Sequence, residues 1–153
     1  WCQQLFAESL GKKNRGFLPV ISNAPKDHHS LLQLYLDGPK DKVFYIFSKR
    51  KTKSIRIKSS FFGKNMSYLN NQKYNNVVLS QKNAFIEVLK VKKIPYREIL
   101  IDELDENTLG KLFLQFIFET IFIAKIMKIN PFDQPAVEDV KILTKKILSS
   151  KKS

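Results

Sequence analysis

A chain of 153 residues with 43% hydrophobic and 12% aromatic residues carries enough apolar material to bury the core of one ordinary domain, which excludes disorder as its default state. Its formal charge of +13 points toward polyanions, yet the lysines are spread from Lys12 to Lys152. The one dense block, Lys49-Arg50-Lys51-Thr52-Lys53 with Arg56 and Lys58, lacks the interleaved aromatics on which bases stack, so it reads as a solvated face and nucleic acid is not expected as a partner.

The first residues, with Trp1, Leu5 and Phe6 at helical spacing, predict a helix ending at Gly11. A chain that opens on Trp1 inside such a run looks cut within a domain. The apolar run 17–22, bounded by Gly16 and Pro25, predicts a short buried strand, with Pro19 counting against it. Asp27 stands where an N-cap would, and the apolar spacing after it predicts a helix over 28–37 stopped by Gly38-Pro39. Residues 43–47, all β-branched or aromatic, give the clearest strand signal.

Residues 49–76 are polar, basic and poorly periodic, and read as a long excursion with a possible strand near 55–57. Val77 to Val91 mark a helix that stops before Pro95, and 96–101 alternate and then turn apolar as a further strand. Residues 109–127 are apolar around most of the helical circumference, the pattern of a helix buried on several sides, within a helix expected over 105–128. Its Gln115, Glu119, Lys125 and Lys128 make a membrane span expensive, so no membrane partner is expected, and a buried Glu119 requires a partner. After Asn130-Pro131 a last helix is predicted over 134–148. Strands alternating with helices imply an α/β fold with a mostly parallel sheet of three or four strands.

The segment from Asn130 to Lys141 carries the chemistry. On a helix opening near Gln134, the side chains of Gln134, Glu138 and Lys141 fall at i, i+4 and i+7 and share one face, a polar trio suited to an anionic ligand at a helix N-terminus. The plainer reading is an amphipathic helix with a Glu138–Lys141 surface pair. This segment resembles the C-terminal signature of the glucose-6-phosphate isomerase family, N-x-F-D-Q-x-G-V-E-x-x-K, with Ala136 in place of the usual glycine. Two more segments fall in order: Glu8-Ser9-Leu10-Gly11-Lys12 resembles the family's E-S-x-G-K motif, and Asp27-His28-His29-Ser30 its D-x-H-S segment. The likeness covers nearly the whole chain, is strongest to bacterial members, and is poor over 49–76.

The resemblance implies a C-terminal part of the second sugar-isomerase (SIS) domain of such an enzyme, a partial three-layer αβα fold followed by the helices 105–128 and 134–148, without the N-terminal SIS domain. It implies reversible interconversion of glucose 6-phosphate and fructose 6-phosphate, in glycolysis and gluconeogenesis, through an enediolate. Glu8 is then the proton shuttle, His29 the ring-opening group, Lys141 its assistant and a stabiliser of oxyanion charge, and Gln134 a contact to the bound phosphosugar. The family is dimeric, so His29 would serve the site of a neighbouring subunit. No metal or cofactor is called for, and the sequence has no Cys/His cluster to bind one. A lone cysteine, Cys2, forms no internal disulfide and fits a reducing, cytoplasmic setting. The family's phosphate loop and enediolate-steadying arginine are not found here, so the chain is expected to be inactive alone. The alternatives are a non-catalytic basic module that binds phosphosugars or nucleic acid, and another enzyme of the SIS superfamily, which would lack the 132–141 signature.

Overall fold

Helix boundaries fall where the chain supplies stop and start signals. In the computed structural model, which describes residues 1–50, 54–58 and 63–150, α1 runs Cys2–Leu10 and ends as the Gly11 N–H donates to the Ala7 carbonyl at 3.1 Å. A Cβ on Gly11 would stand 2.7 Å from that oxygen, so only glycine turns the chain there. Gly16, at φ +108°, takes a second turn that L side chains resist. α2 spans His28–Asp37 and stops at Gly38, as its sequence predicts. Asp27 precedes it, but its side chain does not cap the helix: Oδ2 accepts from the Asn23 N–H at 2.6 Å, behind the helix start.

β1 (Phe44–Lys49) and β2 (Tyr96–Ile101) pair in parallel with Phe44 opposite Tyr96 and Lys49 opposite Ile101. α3 (Tyr74–Val91) connects them, as parallel neighbours require a crossover. Lys82 of α3 reaches Glu98 of β2 at 2.5 Å. α4 spans Glu106–Met127 and α5 Pro135–Ser150. α4 starts three residues before its apolar pattern because Asp105 Oδ1 accepts the Thr108 N–H at 2.8 Å, an N-cap. α5 starts on Pro135, whose fixed φ and missing N–H suit a first helical position.

Several expectations are corrected. The sheet among the described residues has two strands, not three or four. Residues 17–22 form no strand: Leu18 is 83% exposed and Val20 62%, Pro19 lacks a ladder N–H, and among the described residues no strand pairs with the run. The strand expected near 55–57 is a single antiparallel bridge, Arg56 to Lys73, followed by a 3-10 segment, Lys64–Leu69. Of the basic block, residues 51–53 lie outside the described residues, as do 151–153, while α5 itself continues two residues beyond the expected 148.

The chain divides into two units, Trp1–Ile21 with Leu109–Ser153, and Ser22–Thr108. In the first, Leu10, Phe116, Thr120 and Ala124 are buried, with Phe6 meeting Phe116 edge-on at 5.9 Å. The Thr120 hydroxyl is satisfied by donating to the Phe116 carbonyl. In the second, Ile86 and Leu89 of α3 are buried, and Phe44 packs edge-on between Tyr35 and Phe85. α4 is thus buried along one stripe rather than on several sides: Phe118 is 51% exposed, Phe122 63% and Ile126 80%. Glu119, expected in the interior, is only half-buried on this helix.

Candidate active site

In α1 the apolar pair Phe6 and Leu10, one turn apart, faces the core, and this leaves Gln4 and Glu8, also one turn apart, on an open face. Gln4 Nε2 donates to Glu8 Oε1 at 3.0 Å. The other carboxylate oxygen, Oε2, accepts from Nε2 of Gln134 at 3.0 Å, across 126 residues of sequence. Two residues drawn from separate motifs therefore touch, and the Glu8 carboxylate is oriented at both oxygens while remaining exposed. Such a group is fixed in direction yet reachable by a ligand, which is what proton transfer to a bound substrate requires.

Gln134 is brought there by the turn between α4 and α5. Asn130 Oδ1 accepts the Phe132 N–H at 3.1 Å, folding the turn back on itself. Lys12, just beyond α1, donates to the Asn130 carbonyl at 2.5 Å and lies 2.9 Å from Asp133 Oδ1. The hydrogen bond from Lys12, with a smaller one from Asn130, holds the Asp133 carboxyl below its ordinary value. Arg15 donates to the Met127 carbonyl at the end of α4, where cations meet the negative end of the helix dipole.

Lys141 makes the contact on which its plainer reading rests. Gln134 stands one residue ahead of α5 and turns its amide to Glu8. Lys141 Nζ instead pairs with Glu138 Oε1 at 2.6 Å, both side chains more than 60% exposed, a pair of small energetic weight.

The two histidines, adjacent in sequence, separate in space. His28 is half-buried with its ring 4.8 Å from that of Phe85, whereas His29 is exposed in the first turn of α2. His29 lies in the second unit, and Glu8, Gln134 and Lys141 in the first. Sequence alone gives Lys12, Asp133 and Gln4 no task; the available signal was that Lys12 and Asp133, of opposite charge, sit inside the two motifs that meet.

No protein-family model matches the chain. It is 34% identical over 145 residues to a glucose-6-phosphate isomerase of Methanocaldococcus jannaschii, covering 92% of this chain and 35% of that protein. A probable glucose-6-phosphate isomerase of Methanococcus maripaludis is 35% identical over 153 residues, and a glucose-6-phosphate isomerase of Campylobacter jejuni 31% identical over 155. These two cover 99% and 98% of this chain, and 34% and 38% of themselves. The crystal structure of a hypothetical protein from Thermus thermophilus superposes on 97% of the chain with a TM-score of 0.86 at 28% identity, again over only 37% of that protein. The chain spans little more than a third of the length of these relatives, and over nearly its whole length it is similar to glucose-6-phosphate isomerases.

Proposed function

We propose that the chain is the C-terminal part of a glucose-6-phosphate isomerase, contributed from a three-layer SIS domain, and that it supplies Glu8, Gln134, Lys141 and His29 to an active site completed elsewhere. The observation that carries this reading is the 3.0 Å contact between Gln134 and Glu8, which joins the two motif segments on which the resemblance rests. Glu8 takes the proton from C2 of the open-chain aldose and returns it to C1, and one oriented carboxylate serves both carbons because the enediolate between them is planar. Gln134 holds the carboxylate and offers its carbonyl to the sugar. His29, free of the packing that holds His28, performs ring opening on a neighbouring subunit's substrate. Lys141 leaves Glu138 to steady the developing oxyanion, an exchange that is cheap because the Glu138 pair is solvent-exposed. The substrate is a hexose phosphate and the working assembly a cytoplasmic dimer, with the phosphate loop outside this chain. Replacing Glu8 by Gln in the full-length protein lowers the rate of fructose 6-phosphate isomerisation by about 10²- to 10⁴-fold, the usual weight of a general base. A Glu8→Gln enzyme with wild-type turnover removes Glu8 from the chemistry.

A further inference from the structure

Lys12 belongs to neither the proton shuttle nor the sugar contacts, yet it is the most enclosed lysine of the described ion pairs, its side chain 9% exposed. A lysine so buried is rarely found without a partner, and this one has two: the Asn130 carbonyl at 2.5 Å and Asp133 Oδ1 at 2.9 Å. Both belong to the turn that delivers Gln134. Lys12 lies four residues after Glu8, and Asp133 one residue before Gln134, so two rungs join the same two strips of chain: Lys12 to Asp133, and Glu8 to Gln134. The Lys12–Asp133 rung is a full ion pair enclosed at its lysine end, whereas the Glu8–Gln134 rung, an amide-to-carboxylate hydrogen bond exposed to water, has less holding power of its own. Arg15, three residues on, fastens the end of α4 by its Met127 carbonyl, so the turn is pinned at both sides.

We propose that Lys12 is a positioning residue: by tying the end of α1 to the 130–133 turn, it holds the Gln134 amide against the Glu8 carboxylate and so sets the direction of the base. The proposal rests on the isomerase reading of Glu8, and adds to it a residue that never touches substrate. Its consequence is kinetic. Releasing the turn disorients the base and loosens one sugar contact, Gln134, while the phosphate loop outside this chain still holds the substrate, so kcat falls by more than KM rises.

The test is made in the full-length protein with Lys12→Met, Lys12→Arg, Asp133→Asn and Glu8→Gln, assayed for fructose 6-phosphate isomerisation, together with the ¹⁵N-labelled side-chain amide signal of Gln134. Lys12→Met is expected to lower kcat by about 10- to 100-fold with a smaller rise in KM, as misplacement of a reacting group does. The Gln134 amide pair should move to the position of a free amide. Lys12→Arg, which keeps the charge, should recover most of the loss. Wild-type kcat in Lys12→Met overturns the proposal, and so does a loss of kcat with the Gln134 signal unmoved, since that marks a merely structural role. If Lys12→Met does not fold, Asp133→Asn, altered at a half-exposed carboxylate, is judged by the same criteria. If Glu8→Gln keeps full activity, the isomerase reading fails by itself, and the Gln134 signal alone decides whether the clamp exists.

Discussion

At Asp133 the carboxylate is stabilised by Lys12, and the direction of that effect fixes a pH dependence. A carboxyl whose pKa is lower in the fold than in the unfolded chain adds stability above the unfolded value, and the gain is lost as pH falls through the folded one. The ordinary carboxylate value is about 4. Thermal melts of the wild type and of Asp133→Asn should therefore differ at neutral pH and converge as the solution is acidified below that range. A gap that persists unchanged at low pH would mean that Lys12 and Asp133 are not paired. The histidines show the same dependence on surroundings: His28 has an aromatic neighbour, Phe85, that sequence spacing does not reveal, and this leaves His29 as the accessible imidazole.

At the scale of elements, the helices follow local signals closely and the strands less so. α2 begins just after Asp27, although that side chain does not cap it, and ends at Gly38-Pro39, and Asp105 extends α4 backward by an N-cap that periodicity cannot register. Asp105→Ala should cost roughly 1 kcal/mol by chemical denaturation, as loss of a capping side chain does. Leu10, fully buried where α1 meets the core of its unit, should cost about 2–5 kcal/mol when cut to Ala, while Ile126→Ala, at 80% exposure, should change little in the same chain. Equal effects at the two positions would contradict the burial of Leu10 on α1 and the exposure of Ile126 on α4. Residues 17–22 have the composition of a strand without becoming one, because a strand needs a partner for its backbone and composition supplies none.

For the whole molecule, the unfinished surfaces are coherent. Parallel sheets are ordinarily covered on both faces and seldom stop at two strands, yet β1 and β2 pair only with each other among the described residues. Leu114, Phe118 and Phe122 on α4 and Val140, Ile142 and Leu143 on α5 are more than half exposed, and no residue of α5 is buried. Apolar area of that extent is rare on a finished monomer. The isolated 153-residue chain should bind a hydrophobic dye such as ANS and convert no measurable fructose 6-phosphate. Robust turnover by the isolated chain would show that the site is complete without the remaining length that the relatives possess.

The sequence by itself determined the α/β class, the bounds of α2, α3 and β2 to within a few residues, and the family resemblance, through three motifs in order. These are properties of local spacing and of side-chain type, which the chain carries wherever it is placed. Only the tertiary structure decided that Gln134 turns to Glu8 while Lys141 turns to Glu138, that His28 packs and His29 does not, and that Lys12 is an enclosed tether rather than one more surface lysine. Those outcomes depend on which groups approach across more than a hundred residues of chain, and the burial and pairing that result are fixed by packing, to which spacing along the sequence gives no access.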